Sequence, residues 1–194
     1  MKKFFLILFF LNFNFIHVFS VEPDVFVQST VNRASEILAK NISQEEKIIK
    51  LKVIAKETVD IQGVGFYSLG SARKNLSKEE KIQYLQLFED YFLKSFSSRL
   101  SEYTNPQIDV LSKKVLSENY TIVNSVLKGT SERPEVKIDW RIYTKNQDNP
   151  LIRDLIIEGL SLARTQKEEF ASILNSNDNN IESLFKILKE FSSK

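Results

Sequence analysis

The hydrophobic period of this chain changes twice along its length, and that change limits the fold more than any other feature. From Asp24 onward, Phe26, Val27, Val31, Ala34, Ile37 and Leu38 recur with the ~3.6-residue spacing of a helix. Asp24 is the expected N-cap. Ser43 to Glu46 reads as a capping box, opening a second helix through Ile48, Ile49, Leu51, Val53 and Ile54. A third helical stretch over 59–69 ends at Gly70, a natural C-cap. Ser77 to Glu80 is another capping box. It opens the longest helix, carrying Ile82, Leu85, Phe88, Phe92, Phe96 and Leu100, and Asn105-Pro106 closes it.

Beyond Pro106 the period drops to two. Residues 108–118, 120–128, 135–144 and 151–158 read as strands. The third alternates cleanly, with Val136, Ile138, Trp140 and Ile142 on one face and Lys137, Asp139 and Arg141 on the other. Short polar connections over 129–134 and 145–150 imply an antiparallel meander. Helical spacing returns over 165–174 and 180–191. The expected fold is α+β: N-terminal and C-terminal helices packed on one face of a curved antiparallel sheet of about four strands.

The first twenty residues read as a leader. Lys2-Lys3 precedes an unbroken apolar run from Phe4 to Leu11, and a more interrupted one continues to Phe19. Val18-Phe19-Ser20 offers a cleavage site before the polar Glu22-Pro23-Asp24. Export with cleavage near Ser20, leaving a single domain over 21–194, is therefore expected. A retained anchor is the other reading, but Asn12, Asn14 and His17 break the run short of the ~20 residues that a span needs. Of 27 basic residues, Lys2 and Lys3 lie in the leader, and the remainder equals the 25 acidic ones. Such a balance gives no global field for nucleic acid or an anionic membrane.

Chemistry is sparse. The chain has no cysteine, which removes disulfides, thiol catalysis, cysteine-held metals and a lipoprotein anchor. His17, the one histidine, sits in the leader, so no histidine base, triad or histidine-held zinc is expected. Glu79-Glu80 and Glu168-Glu169 suit first helical turns. Asp154 and Glu158 stand on an otherwise apolar strand, but four residues apart on a strand is ~13 Å. That exceeds the ~5–9 Å of a glycosidase pair, so buried hydrogen bonds to loop amides are the expected role. Gly63-Val64-Gly65 lacks the third glycine of a dinucleotide loop and follows a helix. The remaining apolar features are Phe88, Phe92 and Phe96 on one helix face and the Trp140 row on the sheet. Both suit an ordinary core, and a cavity between them leaves no mark in sequence.

The ordered pattern nevertheless resembles a known family. Asp60, Leu69-Gly70, Arg73, Phe88, Phe92, Leu100 and Tyr103 recur in its order, as does Arg133-Pro134 before a strand. The most specific segment is Asp154-Leu-Ile-Ile-Glu158-Gly159-Leu160-Ser161, followed by Phe170. Together these resemble the MlaC, or toluene-tolerance, family of periplasmic phospholipid carriers. Where that family commonly has Trp-x-x-Tyr, this chain has Pro150 and Arg153, so an aromatic contact is expected to be lost.

The resemblance implies a helix-plus-sheet fold with a deep apolar pocket for the two tails of a diacyl phospholipid, its head group outside. It implies periplasmic traffic between an outer-membrane lipoprotein complex and an inner-membrane lipid ABC transporter complex, maintaining outer-membrane lipid asymmetry. No catalytic residue, metal or cofactor is required. The expected pocket lining is Phe88, Phe92, Ile122, Val126, Val136, Ile138, Trp140, Leu155, Ile157 and Leu160, with Asp154, Glu158, Gly159 and Ser161 shaping the strand end. Exposing two tails of about thirty methylenes costs on the order of 20 kcal/mol, so such a carrier must supply a dry cavity. Two alternatives remain open: a binder or enzyme for small apolar molecules using Asp139 or Asp154 as general base, and an adaptor with a filled core and no ligand.

Overall fold

A computed structural model describes residues 21–131 and 133–193; the leader lies outside them. Four helices come first: α1 (Pro23–Ala39), α2 (Gln44–Thr58), α3 (Ile61–Ser68) and α4 (Lys78–Ser101). The sheet follows as β1 (Ile108–Ser117), β2 (Tyr120–Leu127), β3 (Val136–Tyr143), β4 (Leu151–Ile157) and a two-residue β5 (Leu160–Ser161). The chain ends in α5 (Leu162–Asn175) and α6 (Ile181–Ser193). The strands pair antiparallel in sequence order, as the short loops require. Helices packed on an open antiparallel meander make the fold α+β, with β5 a short addition to the four expected strands. No helix among the described residues is long and apolar enough to cross a membrane.

Local chemistry explains most boundaries and corrects several. Pro23 occupies the first turn of α1, so Glu22 takes the N-cap position and Asp24 sits inside the helix. Asp24 instead accepts from Lys113 on β1 at 2.8 Å, and that ammonium holds its carboxyl below the usual range. Ser43 caps α2 by accepting from the Glu46 amide, while the Glu46 carboxylate turns to Lys50. The box at α4 is complete: Ser77 and Glu80 exchange side-chain and backbone bonds. Val59, expected to open α3, is extended and bridges to Ile152 on β4. Asp60 then caps α3 by accepting from the Gly63 amide at 2.9 Å. Ser161 caps α5 in the same manner, which starts that helix at Leu162 rather than Thr165.

Glu158 and Gly159 form the two-residue turn between β4 and β5, both with positive φ. Glu158 was expected to be buried; it is exposed. Its carboxylate accepts from the Lys137 amide at 2.6 Å, while its own amide donates to the Lys137 carbonyl. That reciprocal pair holds a non-glycine residue in the left-handed region.

The core lies between the sheet face carrying Val123, Ile138, Trp140 and Ile142 and the aromatic face of α4. Both glycines of Gly63-Val64-Gly65 are set by close approach. A Cβ on Gly63 would stand 2.5 Å from the capping Asp60 carboxylate. One on Gly65 would stand 2.8 Å from the buried Phe88 ring. Gly65→Ala is therefore expected to lose about 1–3 kcal/mol of stability through overpacking, read by urea unfolding.

Tyr84 is fully buried beside Phe88 and donates to the Gly65 carbonyl at 2.9 Å. Burial pushes its hydroxyl well above its ordinary value near 10. The folded protein thus keeps a proton that the unfolded chain releases above about pH 10. Stability from this group is intact below that pH and is lost as pH rises further. Tyr84→Phe is expected to flatten the alkaline fall while costing about 1 kcal/mol at neutral pH; urea titrations on both sides of the transition check this.

Candidate functional site

Core packing is incomplete between α4 and the sheet. A first cavity of about 190 Å³ lies between α4, α5 and β4. Phe88, Phe92 and Phe96 from α4 form one wall, because i, i+4, i+8 spacing puts them on one face. Their rings stack in succession, the Phe92 and Phe96 centroids 5.5 Å apart. Leu162 and Ala163 of α5 close another side. A second cavity of about 140 Å³ lies under α1 and α2, against Val31, Leu38, Leu51 and Ile54, with Ile138 and Ile157 from the sheet. The two chambers share Val59, Phe96, Trp140, Ile152 and Leu155.

Sheet register decides which side chains reach these chambers. Val123 pairs with Trp140, and Trp140 with Leu155, so all three share the helix-facing side. Trp140 stands at the junction. Its indole Nε1 donates to Ser125 Oγ at 2.8 Å, and that hydroxyl donates to the Ile138 carbonyl at 3.0 Å. The only polar atom of the indole is thus satisfied inside an apolar wall.

Six of the expected lining residues come together here: Phe88, Phe92, Trp140 and Leu155 at the first chamber, and Ile138 and Ile157 with the shared pair at the second. Four do not. Ile122 and Val126 lie on the opposite face of β2, half-exposed, because the same register buries Thr121, Val123 and Ser125 instead. The more apolar face of that strand is the outer one, so composition misleads. Val136 packs on the core but lines neither chamber. Leu160, just past the β4–β5 turn, is 60% exposed. Contributions from α1, α2 and Ile152 went unforeseen. Phe96 was legible in the α4 stripe; the α1 and α2 residues look like any helical core stripe in sequence.

Two carboxylates pin the walls. Asp154 has a side chain only 2% exposed. It accepts from the Ser161 hydroxyl at 2.7 Å and the Ala163 amide at 3.0 Å, with Arg141 at 3.5 Å. It thereby ties α5 to β4 as a structural group. Asp60 accepts from Arg153 through both Nε and Nη2, at 2.7 and 2.6 Å. Arg153 also donates to the Tyr120 hydroxyl at 2.6 Å and lies 3.8 Å over the Tyr143 ring. An aromatic contact at position 153 is therefore made, by a guanidinium on Tyr143 rather than by a residue of aromatic type. A third, more open cavity of about 340 Å³ lies across Arg141 and Arg153, both already ion-paired.

General-base chemistry finds little support in this geometry. Asp139 lines none of these cavities and accepts from Asn124 at 2.7 Å. The oxygens of Asp154 are taken by its three partners. Among the described residues no His, Cys, Asp and Glu cluster could hold a metal. Asp154→Ala is expected to cost about 2–3 kcal/mol, the worth of lost hydrogen bonds to a charged group. Its urea midpoint should fall with little change in helix content.

The sequence matches the family described as MlaC protein over residues 28–190. The fold is similar to that of the phospholipid-binding protein from Ralstonia solanacearum, solved in complex with a phospholipid. That similarity has a TM-score of 0.75 at 16% identity, covering 89% of this chain and 98% of that one. At such identity the likeness speaks for the fold. No curated protein matches the chain in sequence.

Proposed function

This chain belongs to the MlaC family, and from that premise we propose that it is a periplasmic phospholipid carrier, taking one diacyl lipid at a time between the outer and inner membranes. The observation that carries the reading is the pair of adjoining apolar chambers, joined at Trp140, Phe96 and Leu155. Two adjoining chambers suit a ligand with two chains, and the junction suits the point where the chains diverge. The phospholipid in the Ralstonia solanacearum protein, which has the same fold, supports the same ligand class.

Together the chambers only reach the low end of the ~300–1,000 Å³ typical of ligand pockets. Loading two tails therefore requires the chambers to widen. The contracted volume also favours, as a second reading, a smaller apolar ligand. On the carrier reading, residues 1–20 are an export signal, and the docking partners are an outer-membrane lipoprotein complex and an inner-membrane lipid ABC transporter complex.

Native mass spectrometry of the protein recovered from a Gram-negative periplasm tests this directly. The expected result is about one diacyl phospholipid per chain, matched by lipid extraction. A ligand of single-chain mass would favour the second reading. An empty protein that takes nothing from liposomes would sink both. Leu155→Trp, which fills the junction of the chambers, is expected to lower co-purified lipid several-fold while the melting temperature shifts by only a few degrees.

A further inference from the structure

The polar groups of the first chamber are unevenly partnered. Four charged residues line it: Arg99, Arg153, Asp154 and Glu169. Arg153 and Asp154 are neutralised, by Asp60 and by Arg141. Arg99 on α4 makes no hydrogen bond or ion pair among the described residues. Among the described residues, Glu169 on α5 accepts only from the Gln166 side-chain amide, at 3.0 Å. Within the lining, the exposed side chains are Arg99, Leu162 and Glu169, and all others are buried or half-buried. Those three therefore mark the mouth. The interior beyond them is mainly Phe88, Phe92, Phe96, Trp140 and Leu155.

The charges at the mouth belong to one locale. Tyr91, half-buried on the same α4 face, donates its hydroxyl to Gln166 at 2.9 Å. Burial pushes that phenol up and Glu169 pushes it further, while the bond to Gln166 and, less strongly, Arg99 pull against both. Fields of opposite sign from the two helices thus reach one oxygen. A lipid whose tails fill the chambers brings its phosphate and head group to this rim, because charged groups stay out of an apolar interior.

We infer that the mouth is a head-group seat, with Arg99 taking the phosphate diester and Glu169 taking a pendant ammonium. The seat suits a zwitterionic, ethanolamine-type phospholipid over an anionic, glycerol-type one. Guanidinium matches phosphate by paired N–H donors, and a phosphate is common to both lipid types. Discrimination falls to Glu169, which attracts the ammonium of one head group and has no opposite charge to meet on the other. This inference rests on the carrier reading of the same cavity.

The test loads lipid-stripped protein from vesicles containing equal amounts of phosphatidylethanolamine and phosphatidylglycerol, and counts both lipids by native mass spectrometry. The wild type is expected to favour the ethanolamine lipid about two- to fivefold, the range an exposed ion pair supports. Glu169→Lys should reverse that preference, and Glu169→Gln should abolish it. Arg99→Glu should lower uptake of both lipids. All three substitutions are at exposed positions, and circular dichroism melts should match the wild type. Loading in the vesicle ratio by the wild type, or an unchanged preference in Glu169→Lys, overturns the head-group seat while leaving the carrier standing. No uptake of either lipid overturns the carrier and the seat together.

Discussion

An apolar cavity that is left partly empty forfeits the contacts its lining would otherwise make, so its walls close up unless something holds them apart. Here the restraint is polar and sits at the ends of the walls. Asp154 fixes the start of α5 to β4 through Ser161 and Ala163. Asp60 caps α3 and grips Arg153, while its own amide donates to the Ile152 carbonyl of β4. Two carboxylates thus anchor two helix starts to one strand. The chambers lie between those anchors and the aromatic face of α4, which spans 24 residues capped by a complete box at its first turn. Helix α4 has no such polar bond to β4. It is held instead to the anchored helices, through Tyr84 on the Gly65 carbonyl of α3 and Tyr91 on Gln166 of α5.

The distribution of charge follows from the same demand. Most polar groups lining the interior are engaged, as with Trp140 on Ser125 and Arg153 on Asp60. No buried side-chain nitrogen or oxygen among the described residues lacks a partner. A cavity finished in this way offers an acyl chain few polar groups to desolvate. On the proposed carrier reading, binding draws on apolar area removed from water, and charge is left to the exposed Arg99 and Glu169.

Much of the architecture was legible because it depends on local rules. Capping residues Ser43 and Ser77, the glycine at position 70 with positive φ, and the strict alternation of β3 each report their own neighbourhood. Errors arose where a distant contact overruled such a rule. Val59 left its helical pattern to bridge β4, and Pro23 displaced Asp24 from the cap. The glycines at 63 and 65 looked like a fragment of a nucleotide loop. Their reason is the Asp60 carboxylate and the Phe88 ring, the latter more than twenty residues away.

The sequence by itself determined the order of helix, sheet and helix, the meander, the absence of cysteine and the aromatic stripe of α4. These follow from periodicity and side-chain chemistry, which a chain carries wherever it goes. Only the tertiary structure decided that Ile122 and Val126 face outward while Ser125 faces inward, that α1 and α2 wall a second chamber, and that Arg99 and Glu169 line one cavity. The physical reason is that both faces of β2 are partly apolar. Which face is buried is therefore set by register against β3 and by a hydroxyl that satisfies an indole fifteen residues away.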